Sequence, residues 1–184
     1  MKLRSFVCIA FVSLACVLPG CGVGSVITAA KVGKNLMEKD SHLVVMLDGQ
    51  VAKQNKLKKA AKGHANYEVK EPVSTSPTLQ YDIEDPDRFG RITMVSVSIF
   101  QKFEEDYSGQ AEYTVFASDI NNPQAQMRAG NAYNLGNPGG GFKTINLTGQ
   151  TVGGVTLQPG KKYMLTLTVK ADRSETAQIY FETR

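Results

Sequence analysis

The sequence contains no tryptophan, only two histidines, and no apolar run long enough for a transmembrane helix. The two histidines, His42 and His64, belong to no HExxH motif and to no other zinc-ligand spacing. The longest apolar run, residues 6–18, is interrupted only by Ser13, whereas a spanning helix needs about 20 apolar residues. These absences exclude a zinc-protease motif and a membrane-spanning helix in that run. They also leave tyrosine and phenylalanine as the rings that can stack on a sugar.

The N-terminus has the layout of a secretion signal. Lys2 and Arg4 precede the apolar run, and small residues follow it, as in signal peptides. Pro19 ends the run, because proline cannot continue a helix. We therefore predict a signal peptide over residues 1–20, removed from the mature chain.

Residues 18–21, "LPGC", resemble the lipobox of bacterial lipoproteins, which has Leu three residues before a Cys and Gly or Ala directly before it. Leu18, Gly20 and Cys21 match that pattern. A competing register ends at Cys16, but it lacks Leu at its first position and lies inside the apolar run. The resemblance implies cleavage before Cys21 and acylation of Cys21 by a palmitate-type chain, so that membrane lipid is the first expected partner.

The cysteine count agrees with a lipidated N-terminus. Cys8 and Cys16 leave with the signal peptide, so the mature chain has one cysteine and no internal disulfide, although it enters an oxidising compartment. Gly22, where an Asp would stand for inner-membrane retention, implies the outer membrane under enterobacteria-like sorting. We expect a lipid-anchored protein of the bacterial cell envelope that faces the periplasm or the surface.

Positive charge is concentrated in the first part of the mature chain. Residues 21–70 carry nine basic and four acidic side chains, a net of +5, and residues 71–184 carry ten and thirteen, a net of −3. Five of these lysines fall within "KQNKLKKAAK": Lys53, Lys56, Lys58, Lys59 and Lys62. They either face anionic lipid headgroups, at about 1 kcal/mol each, or form a solvated loop. Because the chain is secreted, we expect no nucleic-acid partner.

The pattern after residue 41 is that of β-strands. Apolar residues alternate with polar ones at Leu79–Ile83, Val95–Ile99 and Tyr163–Val169, and the short run "HLVVML" ends at the turn pair Asp48-Gly49. Residues 163–169 and 177–181, joined by "ADRSE", predict a hairpin. We predict eight or nine short strands in an all-β, antiparallel β-sandwich of Ig-like or jelly-roll type over residues 42–184, after a tether or short helix over residues 21–41.

The segment 119–141 is the first place to look for a binding site. It is rich in Asn, Gly and Pro and too long for an ordinary hairpin loop, and loops of this length are usually functional or disordered. We expect ligand-binding residues at Tyr133, Asn131 and Asn134. Tyr107 and Tyr133 lie in loop-like segments and can stack on a sugar, or they can be ordinary half-buried tyrosines.

Two further segments each match part of a known ligand-binding motif, one for Ca²⁺ and one for phosphate, but neither matches the whole motif. Asp82, Glu84, Asp85 and Asp87 offer oxygen ligands for Ca²⁺, but their spacing misses the EF-hand and equally suits a solvated turn. In "GNPGGGFKT", residues 136–144, Phe142 interrupts the Gly-Lys-Thr that a P-loop needs. With no catalytic constellation in the sequence, we predict a protein that is not an enzyme, with no catalytic residue, no cofactor and no assigned metal site.

Two segments resemble known families. Residues 85–103, "DPDRFGRITMVSVSIFQKF", are similar to a segment of type VI secretion outer-membrane lipoproteins, in which an Asn-Pro-Asp-like turn and Gly-Arg precede a strand. Asp85 and Thr93 depart from that pattern. Residues 157–183 are loosely similar to the last strands of carbohydrate-binding β-sandwiches. These resemblances imply, respectively, a lipoprotein of a secretion assembly and a carbohydrate- or peptidoglycan-binding module.

The function predicted from the sequence is therefore binding rather than catalysis. We expect a lipid-anchored envelope protein whose β-sandwich binds or scaffolds another envelope component, either a protein or a glycan. The secretion-assembly lipoprotein and the glycan-binding module are the alternatives.

Overall fold

Alternating apolar and polar side chains build two β-sheets that pack face to face. A computed structural model of the chain describes residues 41–55, 63–103 and 106–184. These residues belong to one compact unit with a single apolar core between the sheets. The prediction of an all-β sandwich is confirmed.

The described residues contain thirteen strands and two very short helices. The helices are α1 (Pro86–Phe89) and a 3₁₀ helix (Pro123–Ala125). Neither helix has the length and apolar character needed to cross a membrane, and the described ranges contain no other. The strands are β1 (Leu43–Leu47), β2 (Gln50–Val51), β3 (Lys53–Gln54), β4 (His64–Glu68), β5 (Thr78–Ile83), β6 (Met94–Phe103), β7 (Asp106–Tyr107), β8 (Tyr113–Ala117), β9 (Ala132–Asn134), β10 (Phe142–Asn146), β11 (Thr151–Val152), β12 (Lys162–Lys170) and β13 (Ser174–Glu182).

The smaller sheet has the order β2-β1-β5-β9 and is antiparallel throughout. The predicted turn at Asp48-Gly49 joins β1 to β2, and both residues have positive φ, at 49° and 77°. The Asp48 carboxylate accepts hydrogen bonds from the backbone N of Ser74 at 2.6 Å and of Thr78 at 2.7 Å. It thereby ties this turn to the start of β5.

The larger sheet has the order β11-β10-β8-β6-β12-β13-β4-β3, with β7 paired to the end of β6. The predicted C-terminal hairpin is confirmed as β12 and β13, joined by residues 171–173. One pair departs from the antiparallel prediction, because β4 runs parallel to β13. The chain continues along β13 after β4, where the backbone N of Val69 and of Val73 donate to the carbonyls of Tyr180 and Glu182.

The residues predicted to alternate inward form the core. In β5 and β12, in β6 as far as Ile99 and in β13 from Ala177 onward, every second side chain faces the other sheet and is buried, while its neighbours are partly or fully exposed. Full burial of an aliphatic side chain contributes about 1.5–3 kcal/mol. The largest fully buried side chains include Tyr81, Tyr163, Phe89, Leu47, Leu79, Ile99, Met127, Leu135, Leu165, Leu167 and Ile179.

Two expectations about organisation are corrected. The segment 119–141 is not a long strandless linker, because it contains the 3₁₀ helix and β9, which pairs with β5. There are also more strands than the eight or nine expected, since four of them have only two residues, too few for an alternation to be recognised.

Several predictions fall on parts of the chain that the structure does not describe. The signal peptide over residues 1–20, Cys21 and the tether up to residue 40 lie outside the described residues. So do Lys56, Lys58, Lys59 and Lys62 of the lysine cluster. Lys53 is described, and it is exposed in β3.

Candidate binding site

The predicted site residues Tyr133, Asn131 and Asn134 lie at β9, on the edge of the smaller sheet. The Tyr133 hydroxyl accepts a hydrogen bond from the backbone N of Arg128 at 2.7 Å. Its ring packs edge-on against Phe142 of the larger sheet, with centroids 5.5 Å apart. Tyr133 therefore has a structural role in joining the two sheets.

The two asparagines differ in their surroundings. Asn134 accepts a hydrogen bond from the backbone N of Gly136 at 2.9 Å through its side-chain oxygen, which shapes the turn after β9. Asn131 is exposed, and its backbone N donates to the Arg128 carbonyl at 3.3 Å. The structure brings the three residues together at β9, with Asn131 directly before the strand, but Tyr133 and Asn134 already have partners within the fold.

A buried glutamine organises the same segment. Gln126 is 4% exposed, and its side-chain oxygen accepts from the backbone N of Val95 at 3.0 Å. Its amide nitrogen points at three carbonyls of the loop, those of Asp119, Ile120 and Asn122, at 3.3–3.5 Å. Nothing in the local sequence distinguishes Gln126 from an exposed loop residue, so sequence reasoning missed it.

A cleft of about 310 Å³ opens on the outer face of the larger sheet, where β6 and β13 end and β12 begins. We call it the lysine cleft, after Lys70, Lys102 and Lys162. Its lining residues are Asn55, Glu68, Val69, Lys70, Lys102, Tyr107, Lys162, Tyr180, Phe181 and Glu182.

Strand alternation places Lys102 and Lys162 on the outer face. Tyr163 of β12 faces the core and pairs with Gln101 of β6, so the preceding Lys162 and the following Lys102 are brought to the same end of the sheet. Lys162 also pairs with Glu182 of β13, and Lys102 pairs with Tyr107 of β7. Lys70 arrives from the segment that follows β4.

The lysine cleft has an excess of positive charge. Three ammonium groups face two carboxylates, those of Glu68 and Glu182. Within the described ranges, the ion pair found is that of His42 with Glu175, so none of the three lysines is paired with a described carboxylate. An anionic group entering the cleft would therefore meet three ammonium groups and two carboxylates, a net of one positive charge.

Two tyrosines form one side of the cleft. The rings of Tyr107 and Tyr180 are 5.6 Å apart and tilted by 57°, and the Tyr180 hydroxyl donates to the side-chain oxygen of Asn66 at 3.1 Å. Burial raises the pKa of both phenols, and Tyr180 adds to the rise for Tyr107. Both rings thus remain neutral at physiological pH. Tyr107 is one of the two tyrosines that the sequence singled out.

A second polar cluster lies where the described part of the chain begins. Glu175 is 4% exposed, and its carboxylate accepts from the Ser41 hydroxyl at 3.0 Å and lies 2.7 Å from Nδ1 of His42. The Ser41 oxygen accepts from the backbone N of Leu43. Because the hydroxyl bonds the carboxylate and not the imidazole, the trio is not arranged as a nucleophile with its base.

The other motifs have ordinary local roles. Asp82 accepts from the backbone N of Ile83 at 2.8 Å, and Asp85 has a φ of 65° at the start of α1. In the part of the chain that the structure describes, no three His, Cys, Asp or Glu side chains are grouped to hold a metal ion. The segment after the glycines of 136–141 is strand β10, so no helix N-terminus follows them.

No protein-family model matches the chain, and no curated protein matches it in sequence. The fold and the site thus define an all-β sandwich with a cationic cleft on one outer face.

Proposed function

We propose that the chain is a lipoprotein of the bacterial outer membrane, anchored through acylated Cys21, whose β-sandwich binds another envelope component without catalysis. The lipobox-like residues 18–21 support the anchor. The observation that carries the binding function is the lysine cleft.

The cleft has the properties of a binding site of modest size. Its volume of about 310 Å³ lies at the lower end of the range for ligand sites, about 300–1,000 Å³. It combines the rings of Tyr107 and Tyr180 with charged groups, a mixture that favours a specific orientation of the bound partner. The three lysines favour a partner that presents negative charge.

The anchor is tested by a pair of cysteine substitutions. Cys21→Ala should abolish acylation and block lipoprotein-type cleavage, whereas Cys16→Ala, in the competing register, should leave both intact. The measurement is the mass of the protein purified from the membrane fraction, together with its fractionation. If Cys21→Ala still fractionates with membranes as the unsubstituted protein does, the lipid is not what holds the protein there.

The binding function is tested by crosslinking in intact cells, followed by purification of the lipidated protein and mass spectrometry. Lys102→Glu/Lys162→Glu reverses two charges of the cleft. Arg91→Glu/Arg173→Glu makes the same change in net charge at exposed positions outside the cleft lining. We expect one envelope component that is captured reproducibly, lost in the cleft variant and kept in the control.

The identity of that component separates the alternatives. Capture of secretion-system subunits would favour the secretion-assembly lipoprotein, and capture of glycan or peptidoglycan fragments would favour the glycan-binding module. A component that is captured equally by both variants would show that the lysine cleft is not the binding site.

A further inference from the structure

The outer face of the larger sheet carries a continuous band of uncharged polar side chains. Thr166 of β12 pairs with Gln178 of β13 and Ser98 of β6, and the register extends to one residue on each neighbouring strand. We call this set the polar band: Asn66, Gln178, Thr166, Ser98 and Thr114, on β4, β13, β12, β6 and β8. At about 4.8 Å between neighbouring strands, the band spans about 19 Å.

The next positions on the same face repeat this chemistry. Thr168 pairs with Thr176 and with Ser96, so hydroxyls occupy a second row across β13, β12 and β6. The hydroxyl oxygens of Thr168 and Thr176 are 3.4 Å apart, as are those of Ser98 and Thr114. Asn66 and Thr176 are buried, whereas the other members of the two rows are partly exposed on β13, β12, β6 and β8. Each hydroxyl can both donate and accept, so this exposed part can bond a partner that carries either kind of group.

An apolar row separates the polar band from the lysine cleft. Met164 pairs with Tyr180 and with Phe100, and all three are partly exposed on the outer face. Beyond them lie Lys162 and Lys102 at the cleft. The face thus offers three kinds of contact in sequence: hydroxyl and amide groups, then an apolar surface, then cations.

We infer that this face binds an acidic glycan, an inference that rests on the proposed binding function of the lysine cleft and names its ligand class. A sugar ring has an apolar C–H surface and a rim of hydroxyls, which match the apolar row and the polar band. A carboxylate on the sugar reaches the ammonium groups in the cleft. The glycan lies across the strands, with its acidic substituents toward Lys102 and Lys162.

A protein partner suits the same face less well. The cores of protein interfaces are apolar and depleted in Lys and Ser. Here lysines supply the positive charge, and serine and threonine hydroxyls occupy the centre of the face. The charge of the cleft and the hydroxyl-rich band together favour an anionic, hydroxyl-rich polymer.

The test measures binding of the purified lipidated protein, in detergent, to polygalacturonate as the acidic glycan. Dextran serves as the neutral glycan and poly-glutamate as an anion without sugar. We expect polygalacturonate to bind at least about tenfold more tightly than either, with an affinity that falls as salt screens the lysines. Lys102→Glu/Lys162→Glu should weaken binding at least about tenfold, and Arg91→Glu/Arg173→Glu should leave it within about twofold.

Variants of the polar band test the part of the site that contacts sugar hydroxyls. Thr166→Val keeps the shape of the side chain and removes its hydroxyl, so we expect a loss of about threefold to tenfold. Equal binding of poly-glutamate, with no effect of Thr166→Val, would overturn the inference and leave a general anion site. Loss of glycan binding on Tyr133→Ala, with the cleft variant unaffected, would overturn it in favour of β9.

The proposed binding function and the acidic-glycan inference can be contradicted independently of each other. If cells yield a protein crosslinked through the cleft and the purified protein binds no polygalacturonate, the acidic-glycan inference is wrong and the proposed binding function stands. If the cleft variant changes neither crosslinking nor glycan binding, both are wrong.

Discussion

The carboxylate of Glu175 lies 2.7 Å from Nδ1 of His42 and accepts a hydrogen bond from the backbone N of the same residue at 2.7 Å. Glu175 belongs to β13 of the larger sheet, and His42 directly precedes β1 of the smaller sheet. The contact therefore joins the two sheets at one end of the sandwich. It also holds the segment that enters the domain from the predicted tether.

We expect Glu175→Gln to lower the free energy of unfolding by about 1–3 kcal/mol. The carboxylate shares three donors between two oxygens: the Ser41 hydroxyl and two groups of His42. An amide offers one acceptor oxygen in place of two, so the Ser41 hydroxyl, the backbone N of His42 and its ring nitrogen can no longer all donate to this side chain. Urea unfolding measures the change, and Glu71→Gln, at an exposed position, should stay within about 0.5 kcal/mol. Equal stability of the two variants would show that the contact contributes nothing.

Gly154→Ala should destabilise the fold by about 1–3 kcal/mol, because a Cβ at this position would overlap the backbone carbonyl of Gly136. A backbone group cannot turn aside as a side chain can. Gly153→Ala is the matched control, since a Cβ there meets nothing within 4 Å. It should leave stability unchanged or raise it by up to about 1 kcal/mol. Thermal unfolding of the two variants checks the difference, and equal melting temperatures would contradict it.

Stability should fall as the pH rises above about 10, the ordinary pKa of tyrosine. Tyr81 is fully buried and donates to the Met127 carbonyl at 2.7 Å. Burial is the main cause that raises its pKa well above the ordinary value, and the nearby Tyr133 and Asp82 raise the pKa further. Below pH about 10 the phenol is protonated in both states. Above it, the unfolded chain releases a proton that the folded protein retains, so unfolding becomes more favourable.

The size of this effect is measurable with one variant. Each such tyrosine contributes a slope of about 1.4 kcal/mol per pH unit between its unfolded and folded pKa. Burial also raises the pKa of Tyr107, Tyr163 and Tyr180, so Tyr81→Phe should reduce the slope without removing it. Urea unfolding between about pH 9 and about pH 11 measures it. An unchanged slope in Tyr81→Phe would show that this phenol does not titrate abnormally.

Much of the fold follows from local pattern. The alternation at Leu165, Leu167 and Val169 is strict, and a one-residue shift would expose the whole apolar set, so these residues define both a strand and its buried face. The two-residue strands β2, β3, β7 and β11 show no such alternation. Each of them forms because it lies beside a longer strand whose backbone N–H and C=O groups are available for hydrogen bonds. Which longer strand that is depends on the tertiary fold.

The candidate site was only partly visible in the sequence. Tyr107 was singled out for its ring, but the lysine cleft that contains it was not predicted. Lys70, Lys102 and Lys162 are far apart in the chain and look like ordinary polar positions at strand ends. Tyr133 was expected to contact a ligand, whereas its hydroxyl and ring are held by Arg128 and Phe142. Its role as a ligand contact stays a prediction.

The sequence by itself determined the strand-forming segments, their buried faces, the turn at Asp48-Gly49 and the C-terminal hairpin, because these depend on residues that are close in the chain. Only the tertiary structure decided that β4 runs parallel to β13, that Glu175 meets His42 across 133 positions, and that β6, β12 and the segment after β4 bring three lysines to one cleft. Such contacts depend on which segments bury their apolar faces against each other. That packing involves residues far apart in the chain, so no local pattern predicts it.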